Sequence, residues 1–247
     1  LNVTLTMKKI GIYIFLAFGV LVSSFTCEKV NSEDPESEEK KLTLQPGPAD
    51  GQDCLVAYRQ TDNDHYAKSN HKKNPDVTAI RWTYNEVGAG HGTNRTYIKF
   101  LGLSEIPFNA EIISAKLSLY GVESGVAAPL GNSYYPGSPY EGYGENPAWL
   151  KRVLSDWTDS TITWNNKPAT TDEHRVAVPA STAQWNFDAV DIDVTDMVRE
   201  MVKANNNFGF CLELQKEEIY RSILFGSSEH ENPQKRPKLE VDYSVSD

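Results

Sequence analysis

Cysteine and positive charge are both scarce in this sequence. Its 247 residues include three cysteines, Cys27, Cys54 and Cys211, so a disulfide-rich scaffold is excluded and one thiol needs its own explanation. The 24 Lys and Arg residues are outnumbered by 34 Asp and Glu residues, which gives a formal net charge of −10. A negative surface repels phosphate backbones, so nucleic acid is not expected as a partner.

The sequence also lacks an apolar run long enough for a transmembrane helix, which needs about 20 residues. Residues 10–22 are apolar and uncharged, and they follow Met7, Lys8 and Lys9, as in a secretory signal peptide; Met7 is the expected start of translation. The run leads to Cys27, which we expect to carry a lipid. The alternative is an ordinary secretory signal that is cut nearby.

Residues 28–41 are charged and poor in apolar side chains, which predicts a disordered acidic tether. An acidic cluster behind a lipidated cysteine resembles the surface-export tags of Bacteroidota lipoproteins. The expected organisation is therefore a signal peptide with the lipidation cysteine over residues 1–27, the tether, and a folded domain over residues 42–247. We expect an outer-membrane location, with the chain lipid-anchored at the cell surface.

Short apolar runs with a period of two, separated by Gly, Pro, Asn and Asp, follow from residue 42 onward. This pattern predicts an all-β fold, a jelly-roll-like antiparallel β-sandwich. The expected strands include residues 54–59, 79–84, 96–100, 113–119, 161–164, 176–178, 208–214, 222–225 and 239–245. Cys54 and Cys211 lie among alternating apolar residues and are expected to be buried free thiols, with a disulfide between them as the alternative.

A single segment has helical rather than strand periodicity. Val194, Met197, Val198, Met201 and Val202 recur at helical spacing, which predicts one short amphipathic helix across an open end of the sandwich. Asp193 or Thr195 is placed to cap its start.

Residues 123–146 are rich in Gly, Pro, Ser and Tyr and show no strand period, so they predict a long loop. Exposed aromatic rings offer flat apolar faces with a polar rim, which suits pyranose rings. The candidate glycan-binding residues here are Tyr134, Tyr135, Tyr140, Tyr143 and Trp149; the alternative is that the loop folds back onto the sandwich. Trp164 shares one side of its expected strand with Ile162 and is interpreted as core rather than as a binding residue.

Lys68, Lys72, Lys73 and Arg81, with His71 among them, form the densest basic group of this acidic domain. They are candidates for binding the carboxylates of a uronic acid polymer, and a solvated charged surface is the alternative. Asp62, Asp64, Asp191 and Asp193 supply oxygen ligands of the kind that calcium prefers, so they are the candidates for a structural calcium site, and no other cofactor is expected.

Seven segments of residues 42–243 together resemble the DNRLRE-type domain family. They are residues 44–56 (LQPGPADGQDCLV), 95–106 (RTYIKFLGLSEI), 110–120 (AEIISAKLSLY), 156–168 (DWTDSTITWNNKP), 192–202 (IDVTDMVREMV), 206–214 (NNFGFCLEL) and 236–243 (RPKLEVDY). The resemblance implies a secreted bacterial jelly roll related to carbohydrate-binding modules for alginate, found beside polysaccharide-degrading enzymes.

The sequence lacks a nucleophile elbow, a zinc-binding helix and a phosphate loop, so no catalytic residue is assigned. The leading hypothesis is a non-catalytic surface lipoprotein that captures a polysaccharide for neighbouring enzymes and transporters. A polysaccharide lyase or hydrolase is the second hypothesis. A structural or adhesive surface protein with a protein partner is the third.

Overall fold

The computed structural model describes residues 38–61, 64–84 and 90–245, all within the compact unit that spans Pro35–Asp247. Eleven strands are found within these ranges, together with two helices. The strands are β1 (Glu38–Leu44), β2 (Gly51–Arg59), β3 (Asp76–Thr83), β4 (His91–Phe100), β5 (Glu111–Leu119), β6 (Ala148–Val153), β7 (Thr170–Val178), β8 (Ala189–Asp193), β9 (Phe210–Leu214), β10 (Arg221–Gly226) and β11 (Lys238–Val245). The helices are α1 (His65–Lys68) and α2 (Thr195–Lys203). No helix of the described residues is both long and apolar enough to cross a membrane.

The strands form two antiparallel sheets, which confirms the predicted all-β sandwich. The four-stranded sheet has the order β1-β11-β5-β8. In the seven-stranded sheet β10-β3-β4-β9-β6-β7 are neighbours in that order, and β2 also pairs with β4. The largest core cluster contains residues of both sheets, such as Leu117, Val241, Phe100, Phe210 and Leu212, which are all buried.

Helix α2 confirms the predicted amphipathic segment. Met197, Val198, Met201 and Val202 are buried in the main core. The helix contacts β5 of one sheet and β7 of the other, so it closes part of the gap between them.

Neither of the two predicted cap residues is the N-cap of α2: that position is Val194, whose side chain makes no cap hydrogen bond, although Asp193 and Thr195 both make hydrogen bonds beside it. The Thr195 hydroxyl accepts a hydrogen bond from the Ala115 backbone N–H at 2.9 Å, which ties the helix to β5. The Asp193 carboxylate accepts from the Thr195 backbone N–H at 3.0 Å.

Both cysteines of the sandwich are free and buried, as predicted, so the alternative of a disulfide is wrong. Burial raises the pKa of the Cys54 and Cys211 thiols to about 12. Thiolates are the reactive form of cysteine, so both side chains are unreactive packing residues. Cys27 lies outside the described residues.

Two sequence expectations need correction. The predicted strand at residues 161–164 is a turn, because the Asn166 side chain accepts from the Thr163 backbone N–H at 2.6 Å and donates to the Thr161 carbonyl, in place of a strand partner. Residues 38–41, assigned to the tether, belong to β1 and pair along β11, where Leu42 and Leu44 pack against the core.

Candidate functional site

An open groove with a volume of about 640 Å³ lies where the long loop meets β3 and β10. This volume lies within the range of about 300–1,000 Å³ that is typical of small-molecule sites. We call it the aromatic groove, after five residues that line it: Trp82, Tyr84, Tyr140, Tyr143 and Tyr220.

Four of these rings contact one another. Trp82 meets Tyr140 edge-to-face at a centroid distance of 4.7 Å and Tyr220 at 5.2 Å. The Tyr140 and Tyr220 rings are stacked at 5.6 Å, and Tyr143 lies 4.6 Å from Tyr220. Tyr143 is the most accessible of the four, with 53% of its surface exposed. The groove therefore offers continuous aromatic surface to solvent.

The strands position two of the rings. Trp82 shares one side of β3 with the buried Ile80, and its Cα partner on β4 is Gly92. A Cβ atom at Gly92 would lie 2.5 Å from the Tyr84 ring, so the glycine makes room for that ring. Tyr220 precedes β10 and has a φ of 64°, an uncommon backbone state for a residue with a side chain.

The long loop is fixed to the sandwich by hydrogen bonds from β10. The Leu224 backbone N–H donates to the Asn132 side-chain oxygen at 2.8 Å, and the Ser222 backbone N–H donates to the Ser133 hydroxyl at 3.0 Å. The buried Asn146 side chain donates to the Ser222 carbonyl at 2.5 Å. Tyr140 and Tyr143 are therefore carried by an anchored segment rather than by a free loop.

A buried carboxylate fixes the part of the groove wall that residues 127–131 form. Asp76 accepts a hydrogen bond from the backbone N–H of Ala127, a lining residue, at 2.6 Å. Burial raises the pKa of this carboxyl group above its ordinary value, although the bonds from backbone N–H groups act in the opposite direction. The carboxyl group is therefore a structural element of the loop, and it does not line the groove.

The family model that matches this chain is that of Carbohydrate-binding module family 96, over residues 56–243. The chain belongs to this family. Residues 56–243 contain β3 and β10 and the whole loop between residues 123 and 146, so the family match includes all the residues that line the aromatic groove. The resemblance predicted a carbohydrate-binding module, and the family match confirms that part of it.

Curated relatives are identical to this family 96 module at about a quarter of the matched positions. The tRNA nuclease WapA of Bacillus subtilis (strain 168) is 25% identical over 193 residues, which are 77% of this chain and 7% of that protein. The tRNA3(Ser)-specific nuclease WapA of Bacillus spizizenii is 27% identical over 156 residues, which are 62% of this chain and 6% of that protein. The similarity therefore concerns a small part of each relative.

Only two of the five aromatic residues predicted for glycan binding line the groove. Tyr140 and Tyr143 line the groove, whereas Tyr134, Tyr135 and Trp149 lie outside its lining. The Tyr134 and Tyr135 side chains are half-buried in the same loop. Trp149 lies on β6, where the Arg175 guanidinium is 4.2 Å from its ring centroid.

The predicted basic group does not reach the groove. Lys68 pairs with Asp64 at 3.5 Å, and Lys72 pairs with Asp159 at 2.8 Å. Lys73 is exposed beside a separate shallow cleft. Arg81 follows Ile80 and precedes Trp82, so it projects to the opposite side of β3, where it donates to the Thr93 hydroxyl.

The acidic residues proposed for calcium are not brought together in the described part of the module. Within residues 38–61, 64–84 and 90–245, no three His, Cys, Asp or Glu side chains lie close enough to hold a metal ion. Asp193 instead accepts a hydrogen bond from the Thr195 hydroxyl, Asp64 pairs with Lys68, and Asp62 lies outside the described residues. The calcium site stays a prediction.

Three aromatic residues of the groove were not among the predicted site residues: Trp82, Tyr84 and Tyr220. Trp82 and Tyr84 lie at the end of a predicted strand, where an aromatic on alternate positions indicates packing as readily as binding. Tyr220 is isolated in the sequence, and only the pairing of β10 with β3 brings it to Trp82.

Proposed function

We propose that this family 96 module is a non-catalytic polysaccharide-binding protein that holds its glycan in the aromatic groove. The convergence of Trp82, Tyr140, Tyr143 and Tyr220 on one open groove carries the proposal. Sugar rings present C–H faces that pack on aromatic faces, while tyrosine hydroxyls at the rim bond sugar hydroxyls.

The anchoring of the loop supports binding by a site that is already formed. The hydrogen bonds from Ser222 and Leu224 hold the loop before any ligand arrives. A site that is ordered in advance loses less conformational entropy on binding, so more of the stacking energy contributes to affinity.

The chemistry of the groove favours binding over hydrolysis or elimination. Glycoside hydrolases act through a pair of carboxyl groups on either side of the scissile bond. The lining of the described groove contains no Asp, Glu or His. A lyase or hydrolase is therefore the weaker candidate for this site, as is an adhesive protein with a protein partner, since the family is one of carbohydrate-binding modules.

The resemblance also implies an acidic ligand such as alginate. Binding the carboxylates of such a ligand would require cationic side chains at the site. The cations predicted for that role, Lys68, Lys72, Lys73 and Arg81, do not line the groove. We therefore assign the groove to polysaccharide binding and treat alginate as one ligand to be tested.

The proposal is tested by exposing the chain to an array of soluble and insoluble polysaccharides. We expect retention by at least one polysaccharide and no release of shorter or unsaturated products on long incubation. Product release would identify an enzyme, and failure to bind any glycan would contradict the proposal.

We further propose that the chain is lipid-anchored at Cys27 and displayed at the outer-membrane surface, beside polysaccharide-degrading enzymes and transporters. The apolar run that ends before Cys27 and the odd cysteine support this proposal. Cys27→Ser should release soluble protein or block processing, and should abolish metabolic lipid labelling. Equal labelling of the variant and the parent would show that the anchor is elsewhere or absent.

A further inference from the structure

Arg221 is a buried arginine that lies directly behind the aromatic groove. It stands at the start of β10 between Tyr220 and Ser222, which both line the groove, so its side chain points to the opposite side of the strand. Only 7% of the residue is exposed, and it is not part of the groove lining. Its contribution to binding would therefore be made through the residues that it holds.

The guanidinium joins two segments that each carry a ring of the groove. It donates to the Tyr143 carbonyl at 3.0 Å in the long loop. It also donates to the Lys216 carbonyl at 3.4 Å and pairs with the Glu218 carboxylate at 2.6 Å, in the connection that leads to Tyr220. The Tyr143 and Tyr220 rings lie 4.6 Å apart between their centroids. Arg221 therefore ties together the two segments that bring these rings into contact.

The backbone next to the guanidinium has a positive φ in both segments. A Cβ atom at Gly144 would lie 2.8 Å from the Arg221 Nη2 atom, and Gly144 has a φ of 98°, which glycine adopts without strain. Tyr220 has a φ of 64° although it carries a side chain. Such a conformation persists only where the surrounding contacts impose it, and the Arg221 contacts lie on both sides of the two rings.

A gain in stability does not account for a charge in this position. The Arg221 Nε atom is buried and has no hydrogen-bond partner in the described part of the chain, so the guanidinium is only partly satisfied. A buried ion pair is often no more stabilising than apolar residues of similar size. The Glu218 side chain is 63% exposed, so water screens its attraction for Arg221. The contacts therefore indicate a role in orienting the two segments.

Resting on the proposed function, we infer that Arg221 is the positioning residue of the aromatic groove. It holds the Tyr143 and Tyr220 rings at the spacing in which both contact one polysaccharide chain. Side chains that are ordered before a ligand arrives lose less conformational entropy on binding. Removing Arg221 should therefore lower the affinity, although the residue makes no contact with the ligand.

A double-mutant cycle with Arg221→Met and Tyr143→Ala tests this inference in the full chain. The probe is the polysaccharide that the chain binds most tightly in the array, which includes alginate, laminarin, xylan and galactomannan. We expect each single variant to bind about tenfold more weakly, the order expected when one ordered side chain is released or removed. The double variant should bind no more than about threefold more weakly than Tyr143→Ala alone, because Arg221 acts largely through that ring. An effect of Arg221→Met that is equally large in both backgrounds would overturn the inference.

Arg152→Met is the matched control. Arg152 lies on β6, its Nε atom is likewise buried and without a partner among the described residues, and it pairs with the exposed Glu173 at 3.3 Å. It does not line the groove, so this variant should keep the affinity of the parent. An equal loss of affinity in Arg152→Met and Arg221→Met would show a general structural effect and overturn the inference.

Urea unfolding of each variant checks that the sandwich is folded. Should Arg221→Met not fold, Arg221→Lys takes its place in the cycle, since an ammonium group keeps the charge but lacks the planar fork that joins the two segments.

The outcomes separate this inference from the proposed function. If Tyr143→Ala weakens binding and the Arg221 variant does not, the groove is the site and Arg221 does not position it. If Tyr143→Ala changes binding to none of the polysaccharides, the groove is not the site and the proposed function fails.

Discussion

Replacing both Tyr140 and Tyr143 with Ala should weaken polysaccharide binding by about 100-fold while the sandwich stays folded. Each ring is expected to contribute on the order of 1.4 kcal/mol through stacking and apolar contact, and each such loss is a factor of about ten in affinity. The two rings lie in a loop outside the main core cluster, so the free energy of unfolding should change little. Isothermal calorimetry and urea unfolding of the parent and the variant measure both quantities.

The same loop supplies a matched control. Tyr134 and Tyr135 are tyrosines of this loop outside the lining of the groove, so Tyr134→Ala with Tyr135→Ala should retain affinity. Tyr140→Phe with Tyr143→Phe keeps both rings and should lose only the contribution of the two hydroxyls. A larger loss in the Tyr134 and Tyr135 variant would move the site to the other end of the loop.

The sandwich was predictable because its strands alternate clearly. Phe210, Leu212 and Leu214 face the main core as the period of two requires, and Met197 and Met201 show the helical period of α2. Strands β1, β6 and β8 were not predicted. Strand β6 has Lys151 and Arg152 among its six residues, and in β8 the neighbouring Val190 and Asp191 are both exposed, so neither strand alternates as clearly as β9.

A β-bulge explains why one residue of β5 faces the side opposite to the predicted one. The alternation of residues 113–119 predicts that Ile113 points inward, yet it is 46% exposed and Ile112 is buried. The pairing of β5 with β11 passes from Ser114 opposite Asp242 to Ile112 opposite Tyr243, so Ile113 is an extra residue without a partner. Such a bulge reverses the alternation beyond it, and a single sequence carries no signal for it.

Only part of the aromatic groove was predictable from the sequence. Tyr140 and Tyr143 stand close together in a loop whose composition marks it, and sequence reasoning selected them. Trp82 and Tyr220 are separated by more than half the chain and meet because β10 pairs with β3. Likewise the lysines looked like a binding patch because the sequence does not reveal partners such as Asp159.

A buried carboxylate in β2, Asp53, was also beyond sequence reasoning, and it contributes to the pH dependence of stability. Asp53 is 5% exposed, and its carboxylate accepts a hydrogen bond from the Ser228 backbone N–H at 2.8 Å. Burial raises its pKa from 3.8 to about 6, against the opposing effect of the bonds from Ser228. The folded state therefore favours the protonated form of Asp53 over the charged form.

The direction of the pH effect follows from this raised pKa. The folded chain binds a proton at Asp53 more tightly than the unfolded chain does. The stabilisation that this proton provides is complete below the unfolded value of 3.8 and is lost as the pH rises through about 6. A difference of about two in pKa corresponds to about 3 kcal/mol, so the carboxylate destabilises the chain by about that amount above neutral pH.

Asp53→Asn should therefore stabilise the chain by about 3 kcal/mol near pH 8 and by almost nothing near pH 4, where the parent carboxyl group is itself protonated. The amide oxygen of Asn can still accept the Ser228 N–H, so the strand-to-loop contact is kept. Urea unfolding of both proteins at the two pH values gives the difference directly, and the exposed Glu123→Gln serves as a charge-matched control that should shift neither value by more than about 0.5 kcal/mol. A variant less stable than the parent near pH 8 would mean that the Ser228 bonds to the charged carboxylate outweigh the cost of burying it, and the raised pKa would then be wrong.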